Sequence, residues 1–283
     1  MKNVLRFVPV LAAPRVSARI GLALGIAGLL AQSAQANLFY TEGFNYNAGA
    51  LSGNDSWIGG AAGLTVVSTN LTYPNLADPG GNALVDTAGT SGSMTVNFTG
   101  TPITSGSIYY SFLADCTMLP TANSYLTDLL PLGGSPNGSG DPFSVYVGQQ
   151  TAGSQFKIGV RHQGVGSGAT YTSNGSMTVG TVNLFVVEYT FGSGGSVSLW
   201  VDPTPGGTQP NADVTIAAGG TEAANLDTIG FKANSATTAG QWIFDDLRVG
   251  DNWADVLPAV PEPSTLALSG LGLALLAWRR NGR

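Results

Sequence analysis

Cysteine is nearly absent from this 283-residue chain: Cys116 stands alone, so no intrachain disulfide can form and no thiolate metal site can be assembled. It lies in the apolar-rich run 107–116 and reads as a small buried hydrophobe rather than a nucleophile. Histidine is as scarce. His162 is the only one, it precedes a Gln163-Gly164 turn and it reads as a surface residue, with no Gly-x-Ser-x-Gly elbow to build a catalytic triad around it. One His and one Cys cannot supply the three or four ligands of a zinc site. Helix formers are thin too, because forty glycines and many Ser, Thr and Asn residues displace Lys, Glu and Arg. Positive charge is missing from the body of the chain. Across residues 37–260, sixteen Asp and Glu face only Lys157, Arg161, Lys232 and Arg248, a net charge of −12 against −6 for the whole chain. Such a field repels nucleic acid and anionic lipid, so the body is expected to bind neither.

The missing cations sit at the two ends. Lys2, Arg6, Arg15 and Arg19 precede an apolar stretch at 20–30 and the small-residue triplet Ala34-Gln35-Ala36. This order is that of a secretory signal, with signal peptidase expected to cut before Asn37. At the other end, Val260-Pro261-Glu262-Pro263-Ser264 is followed by an apolar run at 265–278 and then by Arg279, Arg280 and Arg283. A breaker, a short apolar helix and a basic stop make a sorting and anchoring device, since arginines resist crossing a bilayer. The apolar run of about 14 residues would extend ~21 Å as a helix, short of a ~30 Å hydrocarbon core. A buried core helix would explain that length but would need neither the prolines nor the arginines.

This tail resembles the PEP-CTERM sorting signal of bacteria that secrete exopolysaccharide. The resemblance implies that an exosortase, a membrane cysteine transpeptidase-like protease, recognises Pro261-Glu262-Pro263 and severs the tail. These residues are then recognition elements and perform no catalysis. The chain is expected to divide into a signal peptide (1–36), one folded domain (37–258) and a sorting and anchor segment (259–283). The expected destination is the cell surface or extracellular matrix, after transient anchoring in the inner membrane.

Within the body, short β-branched and aromatic runs recur between turn clusters. Residues 64–67 form one such run before a Thr-Asn loop, and 93–99, 143–147 and 156–160 alternate at the period of a half-buried strand. Residues 184–191 and 196–202, separated by Gly192-Ser193-Gly194-Gly195, predict an antiparallel hairpin, and Pro203 and Pro205 end its pairing. Strands at 228–232 and 241–249 close the domain. Roughly a dozen such strands predict an all-β fold, a two-sheet antiparallel sandwich. With no bridges, its stability must come from a packed core, which ~220 residues provide.

The words Val197-Ser198-Leu199-Trp200-Val201-Asp202-Pro203, Ile229-Gly230-Phe231 and Ile243-Phe244-Asp245-Asp246-Leu247-Arg248-Val249-Gly250 resemble the concanavalin A-like lectin/glucanase jelly roll. The opening Glu42-Gly43-Phe44-Asn45-Tyr46 resembles that of sorting-signal proteins carrying such a sandwich. Both resemblances imply a jelly roll whose first and last strands pair. Enzymes of this superfamily typically show a Glu-x-Asp-x-x-Glu strand, which does not occur here.

Glycoside hydrolysis needs two carboxyl groups about 5–9.5 Å apart. The body's only glutamates, Glu42, Glu188 and Glu222, are far apart in sequence, and Glu188 fills a solvent-facing slot between Val187 and Tyr189. Asp245 and Asp246 are weak calcium candidates, because adjacent strand residues point to opposite faces unless a bulge intervenes. Asp246 shares a face with Arg248 and is expected to pair with it. Trp57, Tyr125, Tyr171 and Trp253 lie near loop-like sequence and are candidate sugar-binding platforms. No cofactor is required. The expectation is a non-catalytic module associating with extracellular polysaccharide. The alternatives are a hydrolase or lyase with a divergent acidic pair, and a protein-binding adhesin.

Overall fold

Segments that alternate in polarity can bury one face only by pairing into sheets and stacking those sheets. A computed structural model describes residues 37–87, 89–136, 141–149, 155–162, 169–171, 177–217, 222–233 and 240–260. The expected cleavage residues Ala34 and Ala36, the motif Pro261, Glu262 and Pro263, and the basic stop Arg279, Arg280 and Arg283 lie outside the described residues, as do both expected terminal helices.

In chain order the strands are β1 (Leu38–Glu42), β2 (Gly49–Ala50), β3 (Ile58–Gly59), β4 (Leu64–Val67), β5 (Ala83–Asp86) and β6 (Gly92–Asn97). There follow β7 (Ser107–Met118), β8 (Ser124–Leu130), β9 (Phe143–Gln149), β10 (Gln155–His162), β11 (Thr170–Tyr171) and β12 (Met177–Thr178). The last are β13 (Val182–Thr190), β14 (Ser196–Val201), β15 (Val214–Ala217), β16 (Thr228–Ala233) and β17 (Gln241–Gly250), before one short helix, α1 (Trp253–Val256). The first sheet has the order β15-β14-β13-β7-β17-β5-β4-β2, with β1 also on β17. The second has the order β11-β10-β9-β8-β16-β6-β3, with β12 also on β10. The expected two-sheet antiparallel sandwich is therefore the fold. Strand β1 pairs with β17, Leu38 opposite Gly250 and Glu42 opposite Leu247, so the first and last strands do meet.

The inward faces meet in a layer of rings. Phe112 of β7 packs on Phe185 of β13 at 5.3 Å and on Phe244 of β17 at 6.1 Å. Phe244 crosses to Phe231 of β16 in the other sheet at 4.9 Å, and Phe231 continues to Phe44 and Trp57. The outer face of the first sheet is covered as well. Leu113, Leu184, Val186 and Trp200 rise from its strands into a second apolar cluster with Leu71, Leu76, Trp253 and Val256. Asn252 caps α1 there, its side chain accepting from the amides of Ala254 and Asp255. The predicted hairpin is β13–β14, and its loop needs glycine: Gly192 and Gly194 have φ of +99° and +89°.

One carboxylate organises the start of the domain. Glu42 is 5% exposed; its Oε1 accepts the Phe44 amide at 2.6 Å. Its Oε2 accepts from Tyr46 Oη at 2.6 Å, Trp57 Nε1 at 2.9 Å and Tyr40 Oη at 3.0 Å. Burial and this charge hold the Tyr40 and Tyr46 hydroxyls protonated, their pKa values raised above the usual phenol value. The Glu-Gly-Phe-Asn-Tyr opening is thus a folded turn around its own glutamate, with Phe44 at φ +50°.

Two predictions follow from these buried carboxyls. Glu42→Ala strips four donors of their acceptor and is expected to cost at least about 3 kcal/mol in urea unfolding, since each buried donor left unmet costs ~1–3 kcal/mol. Asp86, 3% exposed, is pushed by burial to a pKa of about 7. That value lies above the unfolded one, so its contribution is favourable at pH 4 and is lost as pH rises towards 7. Asp86→Asn is therefore expected to be about 2 kcal/mol more stable than the parent at pH 8 and to lose part of the fall in urea midpoint between pH 5 and pH 8.

Candidate functional site

The outer face of the first sheet is covered by apolar packing, and the outer face of the second carries a polar and aromatic set of side chains. Alternation decides what it presents. In β9, Phe143, Val145 and Val147 enter the core, so Ser144 and Tyr146 face out; in β10, Phe156, Ile158 and Val160 enter, so Lys157, Gly159 and Arg161 face out. In β16, Ile229, Phe231 and Ala233 enter, leaving Gly230 and Lys232 outside; Ser93, Thr95 and Asn97 do the same in β6. Strand β8 carries a bulge. Its register against β9 shifts between Tyr125 and Thr127, so that Leu126 and Thr127 both turn inward, Thr127 Oγ1 lying 3.0 Å from Tyr110 Oη. Tyr125 and Asp128 then share the outer face.

Pairing lines these residues up across the strands. Tyr171 is opposite Gly159, Gly159 opposite Tyr146, and Tyr146 opposite Tyr125. The Tyr125 and Tyr146 rings are 5.8 Å apart and tilted by 46°. Lys232 Nζ stands 5.8 Å from the centre of the Tyr125 ring and donates to the Pro136 carbonyl at 3.3 Å. Arg161 Nη1 donates to Tyr146 Oη at 3.4 Å. Two of the four aromatic candidates, Tyr125 and Tyr171, thus occupy one cross-strand row, with Gly159 and Tyr146 between them. The sequence reading missed Tyr146, although its place in the alternation of 143–147 marked it as outward.

Next to this row, the segment 131–136 crosses the face. Gly230 makes room for it, since a Cβ there would lie 2.3 Å from Pro136 Cγ. Beyond that segment is a cavity of about 350 Å³, lined by Ile58, Ser93, Thr95, Asn97, Leu132 and Thr228. Its rim is apolar: Ile58 is 71% exposed and Leu132 is 69% exposed. Its floor is hydroxyls and an amide. Beneath the tyrosine row lie two carboxyls that the sequence did not associate, Asp128 and Asp141, both buried. Burial and, after it, the Asp141 charge push the Asp128 pKa above the usual carboxylate range.

The remaining candidates lie elsewhere. Trp57 is 3% exposed, bonded to Glu42 and packed on Phe44 and Phe231, so it offers solvent no ring face. Trp253 sits edge-on to Trp200 at 5.1 Å and donates to the Gly207 carbonyl, within the cluster over the first sheet. Asp246 has φ +52° at a register shift of β17 against β7, the bulge that adjacent aspartates require. Its Oδ1 lies 2.8 Å from Arg248 Nη2, which is the ion pair expected, and Arg248 also donates to the Ala77 carbonyl. Asp245 accepts the amides of Leu71 and Asp246, both at 2.8 Å. Burial raises both carboxyls to a pKa of about 7. Three of these four oxygens are occupied by amides and a guanidinium, and among the described residues no three His, Cys, Asp or Glu side chains gather to hold a metal.

Glu188 does face away from the core, accepting from Tyr109 Oη at 2.8 Å and Ser107 Oγ at 2.9 Å. Cys116 is buried, and burial pushes its thiol up to about 12. The surface placement of His162 is wrong. It is fully buried, stacked on Tyr189 at 5.7 Å with Nε2 3.4 Å from Glu222 Oε2. The turn signal after it masked the period-two run of Phe156, Ile158, Val160 and His162, which places it inside.

Residues 259–281 match the PEP-CTERM protein-sorting motif. The chain is accordingly an exported protein of the cell envelope, sorted and processed by an exosortase. No curated protein matches its sequence. The fold is similar to that of an endo-β-1,4-glucuronan lyase from the fungus Trichoderma reesei, at 14% identity over 77% of this chain and 97% of that one, with a TM-score of 0.46. It is also similar to alginate lyase Aly36B (14% identity, 74% and 96% covered, TM-score 0.45). A third is the carbohydrate recognition domain of Emp47p (9% identity, 78% and 100% covered, TM-score 0.46). Likenesses this distant describe the fold and assign no activity. Among the described residues, no helix is long and apolar enough to cross a membrane.

The two classes of aromatic residue are separable by stability. Trp57→Ala is expected to cost about 3–5 kcal/mol in urea unfolding. Tyr146→Ala, outside the core, is expected to stay within about 1 kcal/mol of the parent.

Proposed function

We propose that this protein is a non-catalytic module of the extracellular polysaccharide layer, and that it associates with glycan through the outer face of its second sheet. In this reading signal peptidase releases the chain before Asn37, and the C-terminal segment holds it transiently in the inner membrane until the exosortase acts. The observation that carries the glycan assignment is the Tyr125–Tyr146 pair, two outward rings on adjacent strands with polar side chains around them. A sugar ring has an apolar face that stacks on an aromatic ring and a hydroxyl edge that needs polar partners. The neighbouring hydroxyl-floored cavity offers those partners.

The absence of chemistry in the reading has its own support. Glu42 is enclosed by its four donors, Glu188 lies on the other sheet, and Glu222 faces His162 at the sandwich interior. Asp128 and Asp141 are both buried, so neither carboxyl faces a substrate.

Affinity electrophoresis of the exported protein in gels containing soluble polysaccharides tests the reading. Retardation by at least one polymer is expected, reduced about tenfold in apparent affinity by Tyr125→Ala with Tyr146→Ala. New reducing ends or unsaturated products in the same mixtures would replace it with the hydrolase or lyase reading. Retardation unchanged in the double variant would remove the face from it.

A further inference from the structure

The cavity beside the tyrosine row has walls and a floor of different chemistry. Its two apolar walls are the exposed side chains of Ile58 and Leu132. Ile58 stands on the outer face because β3 pairs with β6 and sets it opposite Thr95. Leu132 is held at the corner of a turn, closed by the Gly134 amide donating to the Pro131 carbonyl at 2.8 Å. Gly133 follows it at φ +75°, the positive φ that such a turn takes from glycine. The two aliphatic side chains thus flank one opening instead of lying scattered over the surface. The floor is polar and uncharged. Thr95 Oγ1 donates to the Ile58 carbonyl at 3.4 Å and Thr228 Oγ1 to Asp227 Oδ1 at 2.8 Å, so each keeps lone pairs, but no proton, for a ligand. Asn97 Oδ1 accepts the Thr99 amide at 2.9 Å, which fixes the orientation of its amide group and leaves Nδ2 as the donor. The Ser93 and Ser135 hydroxyls lie 3.2 Å apart, and whichever donates leaves the other's proton to be used. Among the described residues no Lys, Arg, Asp or Glu side chain lines the cavity. Asp227 is buried behind its bond to Thr228, and Lys232 is committed to the Pro136 carbonyl and the Tyr125 ring.

Resting on the glycan reading above, we infer that this cavity is the subsite for one uncharged sugar unit of the polymer, seated with its hydroxyl edge on the floor and its C–H faces against Ile58 and Leu132. A sugar hydroxyl both donates and accepts, which matches a floor that mixes spare lone pairs with N–H and O–H donors. A carboxylate only accepts. It would meet the lone pairs of Thr95 and Thr228, find no cation among the lining residues and leave water uncompensated. An ammonium only donates, and no carboxylate lines the cavity to receive it. The size agrees, since about 350 Å³ lies at the small end of the ~300–1,000 Å³ of ligand sites and suits a single unit better than a stretch of chain. Neighbouring units have somewhere to go. Strand β6 lies two strand spacings, ~10 Å, from β8, so a chain with one unit in the cavity can continue towards the Tyr125 ring.

The test holds the backbone constant and changes only the charge. The exported protein is run at neutral pH against the hydroxyethyl and carboxymethyl ethers of cellulose, starch and dextran, at matched degrees of substitution. Expected is binding to at least one hydroxyethyl ether with an apparent Kd at least tenfold below that for its carboxymethyl partner. The gap is expected to persist in ~0.5 M NaCl, which screens the long-range field of the acidic body. Thr95→Lys, which places an ammonium in the cavity, is expected to close or reverse the gap. Asn97→Asp keeps the acceptor for the Thr99 amide but replaces the donor, and is expected to weaken hydroxyethyl-ether binding about tenfold with the urea midpoint unchanged. Equal affinity for both ethers, a gap that salt abolishes, or a gap and affinity that neither variant moves would overturn the uncharged subsite and leave the glycan reading standing. Retardation by none of the six would also overturn the subsite, while the glycan reading is decided separately by the gels described above.

Discussion

The sandwich is held together by aromatic surface hidden between its sheets. Each of these rings buries ~150–250 Å², worth several kcal/mol at ~25 cal/mol per Å², and the extended-chain reference makes that an upper figure. No disulfide reinforces it. Phe112 and Phe185 from the first sheet, Phe244 at its centre, and Phe231 from the second form one connected path that ends at Trp57. The apolar residues of the second sheet that turn inward join this core, so their outward neighbours are fixed in direction by the same pleat. The tyrosine row inherits its rigidity from the core beneath it.

Much of this was legible in the chain. Strand β4 coincides with residues 64–67, the Gly/Ser hairpin is where its glycines placed it, and Asp246 pairs with Arg248 as their common face required. Those features are local, set by period and turn chemistry. What escaped the sequence depends on register. Trp57 looked like a loop aromatic because no sequence pattern reveals that Glu42, fifteen residues earlier, waits for its indole nitrogen. Trp253 looked like one because the covering of the first sheet's outer face is a tertiary event. His162 was misplaced because a turn signal outweighed an alternation that was also present.

The grouping of Lys157, Arg161 and Lys232 is the sharpest case. Residues seventy or more positions apart share a face only after β8 and β9 insert between β10 and β16, and after the β8 bulge resets the phase of Tyr125 against Thr127. Composition alone described the body as uniformly acidic. The fold makes it asymmetric, with its few cations on one side and its buried ion pair behind the other sheet. A net charge therefore says what the molecule repels at a distance, while the strand order decides what it meets on contact.

The last described residues are stitched to the body. Ala77 donates to the Pro258 carbonyl at 2.9 Å, Ala259 bridges Leu76, and the Val260 amide donates to the Asn75 carbonyl at 2.9 Å. The sorting motif begins at the next residue, Pro261. Flexible tethers let a displayed module tumble and sample many poses, but as far as Val260 the chain is held against the sandwich, so no free spacer separates the fold from the residue that precedes the motif.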